Sequence, residues 1–191
     1  MEALLGIFSA FGLSASAGLN AYIPLLVIAL LARFTDTLKL TPPWDTLSNP
    51  WVIGLLAVLM TIEFFADKAP AVNHLNDLIQ TFVRPAAGAI AFAASAGVIS
   101  DVHPVLAMAA GLLVAGSVHA VKSVAVRPAV TATTAGAGNV PVSMAEDFIS
   151  MIFSILSVVI PALMAMLIIL FTSWVIWWLW RRSNRSHTAA Y

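Results

Sequence analysis

The chain opens on thirty residues without a charge, 3–32, reading ALLGIFSAFGLSASAGLNAYIPLLVIALLA. At helical rise they make about 45 Å of helix, against a hydrocarbon core of about 30 Å. A straight single crossing overshoots. The run must tilt strongly or break near Gly18-Leu19-Asn20, inside the stretch SASAGLNAYIP at 14–24. A second uncharged run, 148–180, is about 50 Å long by the same rise, and Pro161 divides it into a first arm and a terminal span. A break leaves backbone N–H and C=O groups open. Hydrocarbon cannot satisfy them, so a break must be buried in protein or line a wet cavity.

Composition gives the same class. Apolar residues make up 61% and charged residues 9%, with a mean hydropathy of +0.96, where soluble domains carry about 25% charged residues. The expected fold is all-α, a polytopic helical membrane protein. One transmembrane domain is expected over 1–183, with a disordered cytoplasmic tail over 184–191. The zero net charge speaks against nucleic acid as a partner. The lack of cysteine excludes disulfides, thiolate metal sites and a Cys nucleophile. Met1-Glu2 supplies no positive n-region, so the first apolar run reads as retained and not as a cleaved signal.

Four full spans are expected, at 51–68, 84–100, 104–123 and 160–180, with two broken or re-entrant helix pairs; counting the first run as a simple span gives five crossings instead. The connection 33–50 is polar, with Pro42, Pro43 and Pro50, and Trp44 and Trp51 suit an interface. Residues 73–83 read as an amphipathic helix that puts Leu75, Ile79 and Phe82, with Val72 just ahead, on one face and Asn73, Asn76, Asp77 and Gln80 on the other. That polar face lacks Lys and Arg, which suggests packing on the protein rather than on headgroups. The terminal WVIWWLW belt followed by Arg181, Arg182 and Arg185 places the C-terminus in the cytoplasm. The expected location is a bacterial inner (plasma) membrane.

Two stretches echo each other. AGLNAYIP at 17–24 matches AGAGNVP at 135–141 in its small residues, its Asn and its following Pro; RPAAGAIAFAASAG at 84–97 echoes RPAVTATTAGAGN at 127–139. Discontinuous helices recurring in two halves, as in an inverted repeat, point to a transporter-type site. Asn20 and Asn139 would supply polar contacts at the breaks. Arg84 and Arg127 each precede a proline, which predicts helix N-termini beside them. A guanidinium there repels the dipole unless an anion lies between, so a phosphate or carboxylate ligand is expected, with Lys122 as a third positive charge. Glu63 and Asp67 are four apart on one face, where like charges are unfavourable; protonation, or pairing with Lys68, Arg84 or a cation, makes them candidates for proton coupling. SMAE at 143–146 reads as a capping box. The plainer reading is that small residues pack helices closely while Arg and Lys snorkel to headgroups.

Other chemistries lack support. The histidines, His74, His103, His119 and His187, show no paired ligand spacing, so no metal and no cofactor is expected. GLSAS at 12–16 is not a nucleophile elbow, and no phosphate-binding glycine loop occurs, so ATP-driven work would need a partner.

The strings GLNAY, EFFADKAP, NDLIQTFVRPAAGA, VKSVAVRPA and TTAGAGN…SMAED, taken together over about residues 9–160, resemble an uncharacterised family of small bacterial integral membrane proteins, a domain of unknown function. The resemblance implies a membrane-embedded helical fold and brings no substrate or catalytic residue. In layout alone, the chain is similar to small membrane proteins that move lipid-phosphate carriers. The expected function is a small secondary transporter or lipid flippase-like protein that binds an anionic, phosphate- or carboxylate-bearing ligand. The alternatives are a structural or assembly subunit, and a lipid enzyme using Glu63 or Asp67 as base. Expected partners are the bilayer, an anionic small molecule or lipid phosphate, and a second copy of the chain.

Overall fold

The first long run breaks at Asn20. In the computed structural model, which describes the backbone of residues 2–68, 70–96 and 102–188 and the side chains of 4–68, 75–96 and 102–182, α1 covers Glu2–Leu19 and α2 covers Tyr22–Phe34. The Asn20 side-chain oxygen accepts from the amides of both Tyr22 and Ile23 at 3.1 Å. In a continuous helix these amides would turn back to the carbonyls of Gly18 and Leu19. A short polar side chain has taken the place of the backbone ladder.

After a single 3₁₀ turn at Trp44–Ser48, α3 covers Pro50–Ala66. Asn49 caps it by accepting from the Trp51 amide at 2.9 Å, and Pro50 holds the first position. Among its residues α3 buries Leu56 and Glu63 alone, and presents Trp51, Leu55, Val58, Ile62 and Phe65 outward. It is about 25 Å long.

α4 covers Pro70–Ala96 and encloses Pro85. The amphipathic segment and the following span therefore form one helix. Its outward side is the apolar one: Leu75, Ile79 and Phe82 are exposed while Asn76, Gln80 and Arg84 are buried. In a bilayer this polarity is sound, because hydrocarbon lies outside and polar groups find partners only inside.

α5 covers Pro104–Val121, started by the His103 ring nitrogen accepting from the Val105 amide at 3.3 Å. It runs through a wide π turn, Lys122–Val126, into α6 at Arg127–Thr134. The Arg127 amide donates to the Lys122 carbonyl five residues back. That loosened turn precedes Pro128, which has no amide to offer the ladder and whose ring needs room. The expectation that Arg84 and Arg127 stand at helix N-termini is thus corrected. Arg84 lies inside α4, and Arg127 lies inside a rod running Pro104–Thr134.

The second interruption falls at 135–138, where Ala135 and Gly136 take φ of 52° and 88°. α7 then covers Asn139–Val159, and α8 covers Pro161–Thr188 beyond a break at Ile160. Among the described residues, four helices are long and apolar enough to cross a membrane: Leu75–Ala96, Pro104–Thr134, Asn139–Val159 and Pro161–Arg182. The protein is a polytopic helical membrane protein. The number of candidate spans agrees with expectation, but α7, which starts nine residues before the uncharged run, stands in place of the 51–68 segment, where α3 has 17 residues. Of the expected disordered tail, 184–188 continue α8 as helix; residues 189–191 lie outside the described residues.

The centre is built from α1, α4 and α5, which approach through small residues. Gly88 of α4 lies against Gly111 and Ala115 of α5, and Gly18 of α1 against Ala115 and Val118. Such contacts let helix backbones come close where no hydrophobic drive favours one apolar surface over lipid. α2 and α7 extend the bundle, and α8 leans mainly on α1 and α7.

Candidate functional site

Five pieces of chain converge on one polar interior: the α1–α2 break, the end of α3, the inward face of α4, the α5 end with its π turn, and the first turns of α7. Because α3 places Glu63 and Asp67 one turn apart, both carboxylates enter from the same side. Each meets a different cation, which offsets their mutual repulsion.

Glu63 and Arg84 are each about 1% exposed at the side chain and pair at 2.9 Å. Arg84 donates from Nε and Nη2 to the same oxygen, Glu63 Oε1, at 3.2 and 2.9 Å. The other oxygen, Oε2, is buried without a hydrogen-bond partner. Arg84 Nη1 also lies 3.4 Å from His119 Nδ1, and His119 Nε2 lies 3.3 Å from Thr81 Oγ1. Arginine only donates, and Thr81 gives its own proton to the Asp77 carbonyl at 2.8 Å. The bonding therefore assigns His119 as a neutral ring protonated at Nε2.

Asp67 gathers more partners. Its Oδ2 accepts from Arg127 Nη2 and from the Ser143 hydroxyl, both at 2.6 Å, and stands 3.8 Å from Lys122 Nζ. Its Oδ1 accepts from Asn76 at 3.3 Å. Lys122 reaches Glu146 at 2.7 Å and the Leu19 carbonyl at 3.2 Å. Arg127 lies a further 3.8 Å from both Asp77 and Glu146. At the edge, Asp147 bridges Lys68 at 2.8 Å and the Asn20 amide at 3.0 Å. Lys68 also sits over the Phe64 ring, 3.4 Å from its centroid, a favourable place for a cation.

The arrangement balances Lys68, Arg84, Lys122 and Arg127 against Glu63, Asp67, Glu146 and Asp147, with Asp77 nearer the rim at 30% exposure. Such pairing is the condition for keeping ions in a low-dielectric interior. Carboxylates of the protein face Arg84, Lys122 and Arg127 in this arrangement, so an external anion would have to displace them. Asn20 belongs to this network. Asn139 does not, for it exchanges hydrogen bonds with Thr131 in the turn ahead of α7. The expected capping box is also corrected. α7 starts at Asn139, so Ser143 is already helical and turns its hydroxyl to Asp67. Asn76, His119, Ser143 and Asp147 join the site without having been singled out as binding residues. The Asn76–Gln80–Arg84 spacing of four on one face was the available signal. Among the described residues no cluster of His, Asp and Glu could hold a metal ion.

On the far side of Leu19 lies an apolar cavity of about 500 Å³, walled by α1, α5, α7 and α8.

The sequence profile described as "Domain of unknown function (DUF4126)" matches residues 7–182, and the chain belongs to that family. No curated protein and no solved structure matches it.

Proposed function

We propose that this family member is a small secondary transporter that moves an anionic group together with a proton. The observation carrying the reading is the sharing of Asp67 by Arg127, Lys122 and Ser143 in a buried, charge-balanced setting. A site of this kind resists any change in its net charge, because an uncompensated buried ion is costly. A proton on Asp67 removes one negative charge and loosens Arg127. A phosphate or carboxylate can then take the vacated fork, restoring the balance. Proton and anion enter together, and neither enters well alone.

Within this reading Arg127 and Lys122 bind the anion, Asp67 carries the coupled proton, and Asn20 and Lys122 hold the α1–α2 break open beside them. Arg84 with Glu63 forms a second exchangeable pair, and the unpartnered Glu63 oxygen offers a further place for a proton. Interrupted helices around a buried site support the transporter class.

Uptake of phosphate and of small carboxylates into proteoliposomes, with internal pH recorded, tests the proposal. Transport should acidify the lumen and collapse in Arg127→Ala. Asp67→Asn should bind the anion without a pH dependence and transport it without protons. If anion binding and uptake are the same in wild type, Arg127→Ala and empty liposomes, the reading fails, which leaves a structural or assembly subunit and a lipid enzyme as the alternatives.

A further inference from the structure

We infer that the transported anion carries a hydrocarbon tail, and that the tail lies in the cavity between α1, α5, α7 and α8. The inference rests on the transporter reading for its anionic head and on separate observations for its tail.

The cavity holds about 500 Å³, within the range of about 300–1,000 Å³ typical of small-molecule sites. Phe11, Ala15, Leu19, Val118, Phe153 and Phe171 are among its walls, and every side chain lining it is apolar. A compact hydrophilic anion gains nothing from such walls, whereas each methylene gains dispersion contacts that a void would forfeit. Ala15 presents only a methyl group to this space from α1. Ser157 and Met164 pack directly over Gly12, and α8 lines one side of the space with Leu167, Ile168 and Phe171.

Position links tail to head. Leu19 lines the cavity with its side chain, while its carbonyl accepts from Lys122 Nζ at 3.2 Å. Val118 lines it from α5 and is followed by His119, the ring in contact with Arg84. On both helices the apolar wall gives way to the ionic network within one residue. A molecule with an acidic head at Lys122 and Arg127 and an alkyl chain in the cavity spans that boundary without leaving either part in the wrong medium. The ligand class is therefore a single-chain anionic amphiphile, an alkyl phosphate or long-chain carboxylate.

The test uses the full chain in phosphatidylcholine nanodiscs with dodecyl phosphate bearing a diazirine at the tail end, and maps the crosslinks by mass spectrometry. Labels are expected on Phe11, Ala15 and Phe153, removed by excess unlabelled dodecyl phosphate. Ala15→Trp, or Val114→Phe should that variant misfold, should cut this labelling at least tenfold by filling the space. Dodecanol should compete at least tenfold less well than dodecyl phosphate. Labels confined to outward residues such as Leu55 and Ile169 would overturn the inference, as would equal competition by dodecanol. Proton entry driven by dodecyl phosphate into sealed proteoliposomes of the wild type is read alongside. Its absence sinks the symport reading alone, while the cavity labelling decides the tail.

Discussion

Lys122 answers the carbonyl that Asn20 leaves open: its Nζ stands 3.2 Å from the oxygen of Leu19. That oxygen would accept from the Ile23 amide in an unbroken helix, but Ile23 donates to Asn20 instead. The break in one helix and the buried ammonium on another are therefore halves of one arrangement, 103 residues apart in sequence. Backbone freed inside a membrane has to be met by protein, and here it is met by a charge that Glu146 neutralises at 2.7 Å.

Removing that charge alone should be severe. Lys122→Met leaves Glu146 buried without its closest counter-ion and the Leu19 carbonyl without a donor, for an expected loss of about 3–5 kcal/mol. The double variant Lys122→Met/Glu146→Leu should recover most of it. Thermal unfolding in detergent measures both, and a double variant no better than the single would contradict the pairing.

Asn20 makes two kinds of bond that substitution can separate. Asn20→Leu removes the acceptor for two amides and should cost about 1–2 kcal/mol, the value of a strong cap. Asn20→Asp keeps the acceptor but sets a carboxylate beside Asp147, which now accepts from the Asn20 amide at 3.0 Å. The repulsion exists only while both groups are ionised, so Asn20→Asp should gain stability as pH falls, relative to wild type. Asn20→Leu should show no such relative gain. Melting curves across a pH series distinguish them, and parallel curves for Asn20→Asp and Asn20→Leu would refute the account.

The π turn sets the direction of Arg127. Inserting one alanine after Ser123 adds a residue beyond the one that the π turn absorbs and rotates one side of the rod against the other by about 100°. Lys122 and Arg127 can then no longer both face Asp67, and the folded yield should fall sharply. Ser123→Ala keeps the residue count and should behave as wild type. Size-exclusion profiles of the two variants give the answer, and a monodisperse insertion variant would count against the role of the turn.

Glycines in this chain should differ according to what surrounds them. A Cβ on Gly18 would stand 2.6 Å from both the Ala115 carbonyl and the Val118 Cβ, and one on Gly111 would collide with the Gly88 carbonyl. Gly18→Ala and Gly111→Ala should each lose about 1–3 kcal/mol by overpacking. Gly54 faces open space, so Gly54→Ala should be neutral or gain up to about 1 kcal/mol from helix propensity. Unfolding midpoints rank the three, and a destabilised Gly54→Ala would break the pattern.

Much of the architecture was readable along the chain. The excess length of the first uncharged run called for an interruption, and the one side chain there able to divert two amides is Asn20. Pro161 marked the last break for an equally local reason. Glu63 with Arg84 was on the short list of pairings, since a buried acid needs a partner. Other features misled. Arg-Pro pairs suggest helix starts, yet at Arg127 a wide turn ahead of the proline keeps the rod continuous. The SMAE motif at 143–146 resembles a cap, yet α7 begins a turn earlier.

What the amino-acid order determined by itself is local: a helical membrane protein and the points where backbone hydrogen bonding is interrupted, because run length, proline and short polar side chains act within a turn or two. Which face of α4 turns inward, and which carboxylate answers which cation, was decided only in three dimensions. Asp67 meets Arg127 across 60 residues and Asn20 meets Asp147 across 127. An apolar solvent leaves a charge no outlet except another group brought beside it by packing, and nothing in the spacing of these residues says which group that will be.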